Sequence, residues 1–247
     1  KNKIKLFSTP FSVRAVQFLK KFNPSVYKIS SFEITDLNLI NEIAKTKKPV
    51  IISTGLSSIK EIKSALKVIR KYHNKVIVLY CVSGYPTPLT EINFKKIKEL
   101  KKKTKTEFIG FSDHTKGIDA SIASLNHDVK LIERHFTLNK NSKSPDAKFS
   151  IGPDELRDLK RISISSHKIH AIKNTNRPPS EKASQIFRRS IYTTKDIKKN
   201  DILNKNNIGC FRPNDGICAS NYFKILGKKS KINIKKNIPL KRNHIKF

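Results

Sequence analysis

The chain has 247 residues, with Lys+Arg 52 against Asp+Glu 19, a formal net charge of +33 and 3 cysteines; this allows one large domain plus a small one. No apolar run approaches the ~20 residues a membrane helix needs, so no spanning helix is expected. The lysines lie along helix surfaces and loops without a nucleic-acid motif, which excludes a designed nucleic-acid surface and leaves an attraction for anionic substrates.

From the N-terminus the chain repeats one unit: strand, polar tip, helix. Lys5-Leu-Phe7 leads into Ser8-Thr9-Pro10, and Val26-Tyr-Lys28-Ile leads into Ser30-Ser31-Phe32-Glu33. Val50-Ile-Ile52 leads into Ser53-Thr54-Gly55, and Val76-Ile-Val-Leu79 into Cys81-Val-Ser83-Gly-Tyr85-Pro86. Phe108-Ile-Gly-Phe111 leads into Ser112-Asp113-His114, and Val129-Lys-Leu-Ile132 into Glu133-Arg134-His135. Between them lie amphipathic helical segments such as Ser57 to Tyr72, with apolar Ile59, Ile62, Leu66 and Ile69. Strands alternating with helices predict βα units and a parallel sheet. Active sites of such folds sit at the C-terminal strand tips, where these polar residues gather.

The six units counted this way fall short of the eight of a closed (β/α)8 barrel. Two architectures fit, a TIM barrel lacking its first two βα units and an open doubly wound sheet. The tip chemistry favours the barrel, and no phosphate-binding glycine fingerprint follows any strand, as a dinucleotide-binding open sheet would want. On neighbouring parallel strands, His114 and His135 stand side by side at one sheet edge, a plausible divalent-metal site because neutral imidazoles ligate transition metals well. Lys28, on an otherwise apolar strand, needs a counter-charge if buried.

After the sixth unit the pattern changes. Pro153 to Lys160 reads as the start of a last outer helix with Asp154 as a possible N-cap. The polar, proline-bearing run from Asn174 to Ser184 marks a linker, and short β-like pieces with turn signals follow it. The division is therefore a partial barrel over 1–173, a linker over 174–187 and a small, mostly β domain over 188–247. Cys81, Cys210 and Cys218 have neither CxxC nor metal-ligand spacing, which suits a reducing cytosol. His73, His127, His167, His170 and His244 read as structural or solvent-exposed.

In this order and spacing, Ser8-Thr-Pro-Phe11, Tyr27-Lys-Ile-Ser-Ser-Phe-Glu33, Ile52-Ser-Thr-Gly55, Tyr85-Pro86, Ser112-Asp-His-Thr115 and Glu133-Arg-His-Phe136 resemble the sialic acid synthases and related PEP-dependent nonulosonic acid synthases. The tail resembles that family's antifreeze-like (SAF) domain at Phe187-Arg-Arg-Ser190, Arg212-Pro213 and Leu226-Gly-Lys228. The resemblance implies a cytoplasmic transferase of the EC 2.5.1 type. It would condense phosphoenolpyruvate with an N-acetylated amino-sugar aldehyde to a nine-carbon α-keto acid, releasing phosphate.

It also implies roles for individual residues. PEP-binding positions match Thr9, Lys28, Ser31 and Ser112, and the metal pair matches His114 and His135, the usual ion being Mn2+ or Mg2+. Glu33 and Asp146 match carboxylates that handle the sugar, and Tyr85 a tyrosine near sugar or PEP. Arg212 matches an arginine that one subunit's SAF domain inserts into its partner's site, implying a domain-swapped homodimer. The forms at Ser30 to Glu33, Asp146 to Ser150 and Glu181 to Ser184 lean towards pseudaminic-type synthases over N-acetylneuraminate synthases. Three positions depart from the pattern: Arg134 stands for the usual Lys, Ser83 for a common Asn, and Asn214-Asp215 in place of a glycine-rich turn. The alternative is an inactive, truncated remnant acting at most as a carbohydrate-binding or dimerisation module.

Overall fold

The computed structural model describes residues 4–172 and 176–246. The chain divides into two compact units, Lys1–Ile172 and Lys173–Phe247.

The first unit is a five-stranded parallel sheet whose spatial order is its chain order. Its strands are β1 (Tyr27–Ile29), β2 (Val50–Ser53), β3 (Val76–Cys81), β4 (Phe108–Asp113) and β5 (Leu131–Arg134). Helices α1 (Val13–Lys20), α2 (Leu37–Ala44), α3 (Ile59–Arg70), α4 (Lys95–Thr104), α5 (Asp119–Ser124) and α6 (Pro153–His170) flank and connect them.

Side chains alternate strictly on these strands. Tyr27, Ile29, Val50, Ile52, Val76, Val78, Tyr80, Ile109 and Phe111 join Ile40, Ile43, Ile62, Leu66 and Ile69 of α2 and α3 in one core between sheet and helices. The intervening positions line up across the register on the other face: Ser53 with Leu79, Leu79 with Gly110, Gly110 with Leu131, and Cys81 with Ser112, Ser112 with Glu133. That second face is concave. In a flat sheet β1 and β5 would lie four strand spacings, about 19 Å, apart. Yet Lys28 Nζ on β1 lies 3.4 Å from Glu133 Oε2 on β5, so the sheet curls and its tips converge. This is a partial TIM barrel, with a row of inward side chains above a closed outer core.

Two expectations need correction. Lys5–Phe7 is not a strand, so the described residues of the first unit hold five strands rather than six. Leu6 is 90% exposed there, and no ladder hydrogen bonds join the segment to β1. An extended run without a bonded neighbour gains too little to count as sheet. The N-cap of α6 is Gly152, not Asp154, which sits in the first turn. Glu155 closes the cap by accepting from the Gly152 N–H at 2.8 Å. α3 falls within the Ser57 to Tyr72 segment expected from the sequence, and Ser58 and Glu61 close its start as a reciprocal capping box.

An apolar cavity of about 770 Å³ lies between β5 and α6, lined by Val129, Leu131, Ile132, Leu156 and Leu159 among others, and holds none of the polar tip residues. The second unit has its own core of Ile191, Ile197, Leu203, Ile208, Ile225, Ile234, Leu240 and Ile245. They come from the antiparallel pairs β6 (Ser190–Thr193) with β7 (Ile208–Phe211) and β8 (Lys229–Ser230) with β9 (Ile245–Lys246), from the short helix α7 (Tyr222–Ile225) and from the connecting loops. The start of the expected linker, at Asn174 and Thr175, lies outside the described residues. Short 3-10 turns follow at Pro179–Glu181 and Ala183–Phe187. No helix among the described residues is long and apolar enough to cross a membrane.

Candidate active site at the strand tips

The converging tips bring most of the expected residues of the first unit together. Lys28 is buried, and its counter-charge is Glu133, whose other carboxylate oxygen accepts from Ser112 Oγ at 2.8 Å. Sequence reasoning did not single out Glu133. The signal was available, because alternation on β5 puts it on the same side as Leu131 and two residues before His135. Ser31 is buried at the β1 tip, where its Oγ accepts from the Gly55 N–H at 2.9 Å and lies 3.6 Å from Cys81 Sγ. A side chain at Gly55 would meet Ser83 Oγ at 2.0 Å and Ser31 Oγ at 3.0 Å. The β2 tip therefore offers backbone where its neighbours offer hydroxyls.

The two histidines face each other with ring centroids 5.3 Å apart. Each has its Nδ1 occupied: that of His114 is 2.9 Å from the Val82 carbonyl, and that of His135 is 3.3 Å from Asp146 Oδ2. Held so, the imidazoles keep their Nε2 atoms for a ligand, the arrangement usual for metal-binding histidines. Among the described residues no group of three or more His, Cys, Asp or Glu is arranged to hold a metal ion. A divalent ion would thus take two nitrogens from this chain and its remaining ligands from water or substrate oxygens, which suits the hard, partly hydrated ions Mg2+ and Mn2+. The pair fits such a group.

Burial pulls the His114 pKa down, but hydrogen bonds to Cys81 and the Val82 carbonyl outweigh it and leave the pKa raised. Burial likewise pushes the Cys81 thiol up, and the His114, Ser31 and Ser83 contacts reverse it to a lowered value. His135 is lowered by burial and by the nearby His114. Tyr85 packs on His114 with ring centroids 4.2 Å apart and planes tilted by 41°, and touches His135 and Phe149 edge-on, forming an aromatic wall.

The remaining expected residues are Glu33, Thr9, Asp146 and Arg212. Glu33 is half-buried in the turn after β1 and accepts from Ser30 Oγ. Thr9 is half-buried in the extended segment before α1. Asp146 is exposed except for its contact with His135. Arg212 is an exposed residue of the second unit, directly after β7. The structure gives His73, which was read as structural or exposed, a local role: its Nδ1 accepts from the Lys75 N–H at 3.1 Å.

The sequence pattern of the NeuB family matches residues 1–174, and that of the SAF domain matches residues 188–246. Among curated relatives, the pseudaminic acid synthase of Campylobacter jejuni strain 81-176 is 37% identical over 240 residues, covering 96% of this chain and 69% of the relative. An N,N'-diacetyllegionaminic acid synthase of Campylobacter jejuni is 38% identical over 239 residues, covering 95% and 71%. Among solved structures, the N-acetylneuraminic acid synthetase of Leptospira borgpetersenii in complex with citrate is similar with TM-score 0.68 at 31% identity, over 73% of this chain and 63% of that one.

Proposed function

We propose a function from one premise: the chain belongs to the NeuB family and carries a SAF domain. Its relatives are synthases of pseudaminic, legionaminic and sialic acids, and we read this chain as a nonulosonic acid synthase. The reaction would join C3 of phosphoenolpyruvate to the aldehyde carbon of an N-acetylated amino sugar. Water adds at C2, phosphate leaves, and a nine-carbon α-keto acid remains. A 2,4-diacetamido sugar of the pseudaminic type is preferred over N-acetylmannosamine, in line with the two Campylobacter relatives.

The observation that carries this reading is the convergence of Lys28, Ser31, Ser112, Glu133 and the two histidines on one concave face. Lys28 would exchange Glu133 for the PEP anion, with Thr9, Ser31 and Ser112 supplying hydroxyl donors. A divalent ion bound by His114 and His135 would supply Lewis-acid polarisation of the aldehyde oxygen. Glu33, on the turn after β1, would take the proton of the attacking water. Tyr85 and Asp146 would bound and orient the sugar beside His114 and His135. Arg212 would reach the site of a partner subunit, where its planar fork can clamp a carboxylate or carbonyl.

A charge-assisted contact is worth about 1.5–3 kcal/mol, so Lys28→Ala should raise the PEP dissociation constant about tenfold to a hundredfold. Isothermal titration checks this, and PEP affinity insensitive to the change would put the anion elsewhere. Phosphate release from PEP with a 2,4-diacetamido sugar and Mn2+ tests the reaction itself. Sugar binding without phosphate release would favour the carbohydrate-binding reading instead. Mixing Arg212→Ala and His114→Ala protomers should restore partial turnover, and no recovery in proven mixed dimers would rule out exchange between subunits.

A further inference from the structure

We propose that the ion pair of Arg134 with Asp113 is a positioning device that sets the mutual geometry of His114 and His135. This role presupposes that the two histidines form the reacting end of the site.

Arg134 Nη1 lies 2.7 Å from Asp113 Oδ2, with side chains only 4% and 0% exposed. Nη1 meets the carboxylate as an ion pair without the alignment of a hydrogen bond. The two residues are register partners on β4 and β5, and each immediately precedes one of the histidines. Alternation along a strand turns each histidine away from the pair, so the pair anchors the tips from behind.

Both partners hold more than each other. Asp113 Oδ1 accepts from the Thr115 N–H at 2.8 Å, and Oδ2 accepts from Ser121 Oγ on α5. Arg134 Nη2 donates to the carbonyls of Thr115 and Gly117 at 2.8 Å and of Phe149 at 3.3 Å. One guanidinium thus fixes β4, the β4–α5 loop, β5 and the segment that carries Phe149. Phe149 in turn packs on His135 at 5.0 Å and on Tyr85 at 5.6 Å.

An isolated buried ion pair can often be replaced by apolar residues of similar volume at no cost in stability, but this pair also satisfies the Thr115 N–H, Ser121 Oγ and three carbonyls. What apolar residues cannot supply is direction. A lysine would keep the charge as a single point and could not bridge a carboxylate and three carbonyls from one plane.

The test uses the full chain, free of metal, with histidine rings labelled for NMR. Tyr85, tilted against His114 with ring centroids 4.2 Å apart, gives that ring a distinctive environment, so its signals report the geometry directly. The double variant Asp113→Leu with Arg134→Met should melt lower than the native chain, because the Thr115 N–H, Ser121 Oγ and three carbonyls lose partners, and should move the ring signals of both His114 and His135. Arg134→Lys should move them part of the way. Unmoved ring signals in the folded double variant would overturn the proposal. If the double variant does not fold, Arg134→Lys decides, and ring signals identical to the native chain overturn it there too. Added Mn2+ then separates the two ideas. It should broaden both ring signals in the native chain and bind about tenfold more weakly to the double variant. Absence of broadening in the native chain would remove the metal reading while leaving the metal-free result to decide the positioning role.

Discussion

Two glycines on the concave face illustrate how much one methyl group can decide. At Gly110 an added Cβ would meet Leu79 Cδ2 at 2.3 Å and the Leu131 carbonyl at 2.7 Å. The backbone of β5 cannot step aside without breaking its ladder, so Gly110→Ala should cost about 1–3 kcal/mol in urea denaturation. At Gly55 the closest obstacle is a serine hydroxyl, which can rotate away. Gly55→Ala should therefore leave the denaturation midpoint nearly unchanged while weakening PEP binding, because the displaced hydroxyls of Ser83 and Ser31 move within the tip. Calorimetric titration beside a urea curve separates the two outcomes. The same scale explains why Glu133 was harder to foresee than Lys28. A lysine inside Tyr-Lys-Ile announces that an acid must lie near, and alternation puts Glu133 on the right face of β5, but the curl of the sheet brings it to Lys28 from four strands away.

Among the elements, α6 depends on a cap that sequence preference misassigns. Asp154 is the better N-cap by residue type, yet Gly152 takes the place and Glu155 bonds back to it. Burial raises the Glu155 pKa, and the bonds from Lys140 and the Gly152 N–H outweigh it, leaving the pKa lowered. A lowered carboxylate contributes stability above its unfolded value and loses it as pH falls through the folded one. Glu155→Gln should accordingly destabilise by about 1 kcal/mol at pH 7, and the gap should close as pH drops below about 4.3. Thermal melts across that range check it. The helices and all five strands of the sheet were legible because apolar period and turn residues agree locally. Lys5–Phe7 has the composition of a strand but no ladder partner, and pairing is a property of the sheet rather than of the segment.

At the scale of the whole chain, the two units have cores with no residue in common. Ile191→Ala in the second core should cost about 2–5 kcal/mol, and Leu66→Ala a similar amount in the first. Differential scanning calorimetry should resolve two transitions, each moved by only one of the substitutions. A single transition shifted equally by both would mean that the units melt as one. The βα order, the tip chemistry and, through that chemistry, the choice of a barrel over an open sheet were readable from sequence, whereas the degree of curl was not. Curvature accumulates from small rotations between neighbouring strands and leaves no local trace in composition.

The strict two-residue alternation on β1 to β5 also sets where the gene can gain or lose codons. An extra residue within β1 would turn Lys28 towards the helices and Tyr27 towards the concave face, exchanging a charge for a ring in both environments at once. An extra residue in the turn between α3 and β3, at His73 to Lys75, would leave that phase intact. Tolerance to insertion should therefore alternate along the chain with the βα repeat, low in each strand and high in the loop that precedes it, and an insertion library scored for soluble expression would trace the sheet without any structure.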